Sequence, residues 1–243
     1  MTADGPRGAH APRARHESSR GSTVTRRQQR SEEILAATRA LFDQRGVRDA
    51  QIEDIARAVG INRAIIYRHF TGKEELFALT LVKYLDELEQ EMRACEPAGG
   101  DAPARLRALS TAFLDFGERY PAFVDCALAL LRRPGEELLR EVSEPAIYQL
   151  GRAVAANLAL VVDVLKAGHR TGEFTVANPD LLANVLYTQA LGGLQLARLR
   201  LSVHEVSPGV PAVAAVSFDE VKAYLVAAAL AMARGAEGDR SET

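Results

Sequence analysis

Arg63, Ile65, Tyr67 and His69 fall within seven consecutive residues, and Lys73 follows them. A guanidinium, a phenol, an imidazole and an ammonium this close together suit a polyanion rather than bond cleavage, because no nucleophile with a base and no paired carboxylates accompany them. A guanidinium can pair bidentately with guanine O6 and N7, whereas Tyr67, His69 and Lys73 suit phosphate oxygens. Ile65 has two readings, a contact to a thymine methyl group or an ordinary apolar residue left at the surface.

The elements that would position this set are short helices. Ile34, Leu35, Thr38, Leu41 and Phe42 recur at the spacing of one helix face, and Gly46 ends that helix. Ile52, Ile55, Ala56 and Val59 give a second stripe, entered at Gln51 and stopped at Gly60. Asn62 is a good N-cap for a third helix, Arg63 to Phe70, with Ile66 and Phe70 facing inward. Two short helices joined by Gly60-Ile61-Asn62 form a helix-turn-helix pattern, whose second helix can enter a major groove with its first turn toward the base edges. The alternative is an ordinary helical corner with solvated polar residues. Gln51, Asn62, Arg63, Ile65, Tyr67, His69 and Lys73 are the candidate DNA contacts.

Thr71 is expected to cap a fourth helix in a capping box with Glu74, and Leu76 to Met92 carry that helix to a break at Pro97-Ala-Gly-Gly100. Helical spacing continues through Leu106 to Phe116, from Pro121 to Leu131, after Pro145 as far as Gly168, over Asp180–Leu201 behind Asn178-Pro179, and from Ser217 to Arg234. Residues 202–216 read as a loop, and no strand alternation is evident. The expected fold is therefore all-α, about nine helices. Residues 25–77 form a three-helix head with helix-turn-helix, and 78–243 a larger helical bundle.

Composition sets limits on function. Residues 1–73 hold 14 Lys+Arg against 8 Asp+Glu, and residues 74–243 hold 16 against 24, so a basic end precedes an acidic body. Residues 1–24 carry little to bury and are expected to be a disordered basic tail, either a solvated leader or an arm that follows the DNA backbone. Cys95 and Cys126 lack metal-knuckle spacing and the five histidines show no ligand-like pairing, so neither a metal nor a cofactor is expected. The longest apolar run, Ala223 to Ala233, is too short to span a bilayer. A cytoplasmic, nucleoid-associated protein without a membrane partner is expected.

The run Ile34-Leu-Ala-Ala, Leu41-Phe42, Gly46, Ile52, Asp54-Ile-Ala56, Gly60-Ile-Asn62, Ile66-Tyr67, His69-Phe70 and Lys73-Glu-Glu-Leu76 resembles the amino-terminal domain of the tetracycline-repressor (TetR/AcrR) regulators. The resemblance extends over residues 27 to 77. It implies an all-helical, two-domain homodimer that binds double-stranded operator DNA and releases it when a small molecule enters the carboxy-terminal domain. It also implies DNA contacts at Arg63, Tyr67, His69 and Lys73, with the fourth helix linking the domains. Gln51 departs from the Thr or Ser usual before the second helix, and removes a hydroxyl contact to phosphate.

Beyond residue 77 the residues offer candidates only. Phe113, Phe116, Tyr120, Phe123 and Tyr148 could line an apolar cavity, with Asn157, Asn184 or Gln189 fixing the polar end of an effector; the alternative is that these side chains are core. The segment over Asp180–Leu201 is too apolar for a surface helix, and Ala-rich Ser217–Arg234 allows close approach. Leu182, Leu186, Gly193, Leu194, Tyr224 and Ala228 are therefore candidate homodimer contacts in a four-helix interface, the alternative being burial within one chain. The expected function is a ligand-responsive regulator, a repressor released from a palindromic operator by a small apolar or amphipathic effector. A DNA-organising protein without an effector and a helical adaptor that does not bind DNA are the rivals.

Replacing Arg63 by Ala is expected to cost about 1 to 3 kcal/mol on the preferred duplex and to relax discrimination, whereas Lys73→Ala weakens all duplexes alike. Titrations on a selected site and its scrambled version check this; equal losses for both variants on both duplexes would remove the assigned roles.

Overall fold

The structure, a computed structural model, describes residues 14–97, 99–133 and 135–235. Among these are ten helices and one hairpin: α1 (Ala14–Arg45), α2 (Ile52–Val59), α3 (Arg63–His69), α4 (Lys73–Cys95), α5 (Ala102–Arg119), α6 (Pro121–Leu131), α7 (Gly135–Glu141), α8 (Glu144–Thr171), α9 (Pro179–Leu199), β1 (Leu201–Ser207), β2 (Val210–Ala215) and α10 (Phe218–Arg234). Helix α1 reaches back into the segment expected as a tail. A helix already nucleated on Ile34 to Phe42 gains a backbone hydrogen bond for each residue it adds. Residues 1–13 lie outside the described residues.

Local chemistry explains most boundaries. Gly60 at φ 72° ends α2 in the left-handed region, and Asn62 caps α3 by accepting from the Ile65 N–H at 3.1 Å. Asn178 caps α9 in the same way at Leu181, and Ser217 with Glu220 forms a reciprocal capping box on α10. The start of α4 differs from expectation. Gly72, not Thr71, is its N-cap and makes no side-chain cap bond, and the carboxylate that returns to Thr71 is that of Glu75, at N3, not Glu74.

Two further differences lie in the body. The segment between α6 and α8 holds the extra short helix α7. Most of the segment 202–216, expected as a loop, pairs with Leu201, expected at the end of the preceding helix, as an antiparallel hairpin closed at Gly209, whose φ of 77° fits a Pro208-Gly209 turn. A register shift between Glu205 and Ser207 interrupts the alternation and hides the strand from a period-two reading.

One apolar core runs without interruption from the head into the body. Its axis is α4, which buries Leu76, Leu81, Tyr84, Leu85, Leu88 and Met92 along its length and makes its most extensive contact with α8. Helix α8 continues past Gly168 to Thr171 and ends at left-handed Gly172. Gly168 stays inside the helix because the Phe174 ring and the Ala102 methyl group lie against its Cα, where a side chain would collide with both.

The glycines of α8 give a stability test. A Cβ at Gly151 would meet no atom within 4 Å, so Gly151→Ala is expected to gain about 0.5–1 kcal/mol from helix propensity. Gly168→Ala is expected to lose about 1–3 kcal/mol by overpacking despite the same propensity gain. Thermal unfolding would show shifts of opposite sign, of about 2–4 °C per kcal/mol.

Candidate DNA-reading head and effector cavity

The outer surface of α3 carries Arg63 and Tyr67, both exposed. Arg63 donates to Glu53 on α2 at 2.9 Å, a solvent-exposed pair that contributes little to stability and can exchange for a base edge at small cost. Gln51 is exposed and makes no cap bond, while the side-chain oxygen of Asn62 is occupied with the α3 N-terminus. Lys73 is half-buried, its ammonium 5.0 Å from the Phe77 ring centroid.

Ile65 and His69 turn toward α1 instead. Ile65 is half-buried in a shallow surface depression that it shares with Arg26, Arg27, Arg30, Arg68 and His69. His69 places Nδ1 2.9 Å from Ser31 Oγ, and burial, followed by the charges of Arg27 and Arg30, lowers its pKa below the ordinary imidazole value. The same surroundings disfavour the cationic form, so His69 offers a DNA strand a hydrogen-bonding group more than a charge. Arg27 donates to the Arg68 carbonyl at 3.3 Å and so holds the basic strip against the recognition helix. This convergence of four arginines is absent from the contact set read from the sequence. Its trace there is the arginine excess ahead of residue 31, which spacing alone could not attach to α3.

Beneath α3, the Glu75 carboxylate is buried. It accepts from the Thr71 N–H at 2.9 Å, from the Thr71 hydroxyl, and from the Ser143 hydroxyl at 2.8 Å. Burial alone would raise its pKa; the hydrogen bonds from Thr71 and Ser143 outweigh that and leave it below the ordinary glutamate value. Since Thr71 follows the recognition helix and Ser143 precedes α8, this carboxylate joins head to body.

A cavity lies in the body between α4, α5, α8, α9 and α10, walled by Met92, Phe113, Asn157, Val161, Tyr187 and Leu225 among others. Its volume is about 60 Å³, so the space is a narrow slot. Of the eight expected ligand contacts, Phe113, Asn157 and Gln189 line it. Phe116, Tyr120 and Phe123 do not. They pack with Tyr84 in an aromatic cluster, in which Phe116 and Phe123 are fully buried and the Tyr120 hydroxyl bonds Glu87 at 3.0 Å. Tyr148 is exposed on α8, and Asn184 is exposed with its amide bonded to the Asp180 carbonyl. Sequence reasoning missed Tyr187, whose ring meets Phe113 edge-on at 5.7 Å and whose hydroxyl burial pushes up to about 12. Its place on the Ala183–Leu186–Ala190 face of α9 was a usable signal.

The candidate dimer residues divide. Leu194 is buried against Gly117, Gly193 lies under Leu225, and Leu182 and Leu186 pack onto the core of their own chain, with Ala228 half-buried. Tyr224 alone of the six is strongly exposed, at 80%. The reason is geometric: α9 is apolar on both faces, and its outward row is Leu181, Val185, Leu196 and Leu199.

Among the described residues no cluster of His, Cys, Asp or Glu could hold a metal ion, and no helix is long and apolar enough to cross a membrane.

Comparison with known proteins agrees with the head geometry. Residues 34–79 match the family model for bacterial regulatory proteins, tetR family. The HTH-type transcriptional repressor KstR2 of Rhodococcus jostii is 30% identical over 145 residues, 60% of this chain and 68% of that protein. The chain belongs to the tetR family. The HTH-type transcriptional activator FasR of Mycolicibacterium smegmatis is 33% identical over 99 residues, so the match spans 41% of this chain and less than half, 45%, of that protein. The nucleoid occlusion factor SlmA of Citrobacter koseri is 31% identical over 166 residues, 67% of this chain and 79% of that protein. In fold, this tetR-family chain matches the crystal structure of a tetR-family regulator from Rhodococcus RHA1 with a TM-score of 0.60 at 16% identity, over 84% of this chain and 96% of that one.

The Glu75 joint has a pH signature. Its folded-state pKa is depressed, so its contribution is complete above the ordinary glutamate range, about 4.3, and is lost as the pH falls through the folded value. Glu75→Gln is expected to be less stable than wild type at pH 7 by about 1 kcal/mol, with the gap closing toward pH 3.5. Thermal unfolding across that range checks the sign; a constant gap would place the loss in packing.

Proposed function

We propose that this chain is a dimeric, ligand-responsive transcriptional repressor, which binds a palindromic operator through Arg63, Tyr67 and the arginine strip and releases it when a small apolar or amphipathic molecule enters the body. The observation that carries this reading is the continuity of α4. The helix starts at Lys73 beside the recognition helix and, in its last turn, places Met92 in the cavity wall, so a change of its seat in the body moves the reading head. A ligand lowers DNA affinity only by preferring the conformation that DNA disfavours, and DNA then weakens the ligand by the same factor.

The dimer reading rests on the outward row of α9 with Tyr224 of α10, continued by Leu201, Val203 and Val213 on one face of the hairpin. Two strands alone are marginally stable in water, and an apolar face of this extent calls for a partner. A second copy, related by a two-fold axis, covers it and sets the recognition helices roughly 34 to 36 Å apart, one DNA turn. The likeness to SlmA keeps the DNA-organising role as a second reading, in which the cavity has no regulatory occupant.

Selection from a random duplex pool is expected to return a palindrome. Val185→Glu with Leu196→Glu is expected to give monomers by mass measurement and to lose the palindrome. Compounds that raise the melting temperature are expected to weaken palindrome binding by about 5- to 150-fold. Stabilising compounds that leave DNA affinity unchanged would favour the DNA-organising reading.

A further inference from the structure

Asn157 is at least nine-tenths buried, with 7% of its surface exposed, and lines the cavity midway along α8. Its Nδ2 donates to two backbone carbonyls, that of Ala153 one turn earlier at 2.9 Å and that of Leu85 on α4 at 3.0 Å. Carbonyls only accept, so the amide nitrogen must be the atom facing them, which fixes the orientation of the side chain. The Oδ1 is left over. Among the described residues it is the buried side-chain polar atom with no hydrogen-bond partner. A buried amide oxygen without a donor loses the hydrogen bonds it had in water and gets none in return, whereas the other buried polar side chains among the described residues, Thr38, Thr80 and Glu75, are all bonded.

Resting on the reading of the cavity as the effector site, we propose that Asn157 Oδ1 is its recognition point and that the effector is a small, flat or slender apolar molecule with one hydrogen-bond donor, a hydroxyl or N–H. The other requirements come from the wall. Phe113 and Tyr187 meet edge-on within it and offer an aromatic surface for a ring or chain to pack on, the narrowness of the slot excludes bulky molecules, and its mostly apolar lining disfavours charged ones. Asn157 also links recognition to output. The amide that receives the ligand's donor is the one that pins the Leu85 carbonyl of α4, so a pull on Oδ1 shifts the helix that carries the reading head.

The test uses the full chain with p-cresol, and with 4-fluorotoluene as a probe of closely similar size that cannot donate. Binding is followed by titration calorimetry and by the ring resonances of Phe113 and Tyr187. Wild type is expected to bind p-cresol at least tenfold more tightly, a difference of about 1.4 kcal/mol. The preference is expected to fall below about threefold in Asn157→Leu and to survive in Tyr187→Phe. Equal affinity of wild type for both probes would overturn the proposal while the cavity reading stands, and this comparison needs no variant. Saturable binding of neither probe would overturn both. A preference retained in Asn157→Leu or lost in Tyr187→Phe would take the recognition point away from Asn157.

Discussion

A buried carboxylate persists as an anion only where hydrogen-bond donors replace the water it has lost, and at Glu75 those donors come from two different parts of the chain. Thr71 supplies its N–H and hydroxyl from the turn that follows the recognition helix; Ser143 supplies its hydroxyl from the N-terminus of α8. Neither donor set alone completes the shell. The orientation of α3 relative to α8 is thus tied to the solvation of one charge, and displacing either side leaves that charge partly unsatisfied in the interior. Arg133, paired with both Glu74 and Glu141, lies beside the joint and spans the same two segments.

The remainder of α4 extends this constraint into the body. Tyr84 is fully buried and donates to Asp43 of α1 at 2.6 Å, while Phe123 and Tyr120 pack on its ring and the Arg39 guanidinium covers it at 4.4 Å. At the next residue, the Leu85 carbonyl accepts from Asn157. Helix α4 is therefore held at its start by a charge, at its middle by an aromatic cluster and an amide, and at its end by the cavity wall. Well-packed interfaces of this kind move between discrete arrangements rather than deforming continuously, which suits a switch.

The head was legible in the sequence because its determinants are local. Gly60 and Asn62 fix the turn and the cap within a few residues, and the stripes Ile52–Val59 and Ile66–Phe70 have one apolar face each. Legibility fails where the outcome depends on distant partners. Helix α9 has apolar residues on both its faces, so the period alone could not send Leu194 inward to Gly117 and Leu196 outward. Phe116 and Phe123 were plausible cavity residues until Tyr84, some thirty to forty residues earlier, occupied the space between them and the head. The choice of Glu75 over Glu74 as the returning carboxylate followed from a one-residue shift in the helix start, below the resolution of capping patterns. Asn157 could be named from its type alone, but its bond to Leu85 joins residues 72 apart and is invisible to spacing.

The central claim is that the Glu75 joint sets the position of the reading head relative to the body. The most direct measurement is the electron-spin distance between labels at Arg68 on α3 and Arg152 on α8, both exposed, in the wild-type background and with Ser143→Ala and Glu75→Gln combined. The account predicts a single narrow distance distribution in the wild-type background, and a shifted or broadened one when the joint is removed while the helical content is retained. Identical narrow distributions in both would contradict it and assign the position of the head to the packing along α4 and the other contacts between head and body.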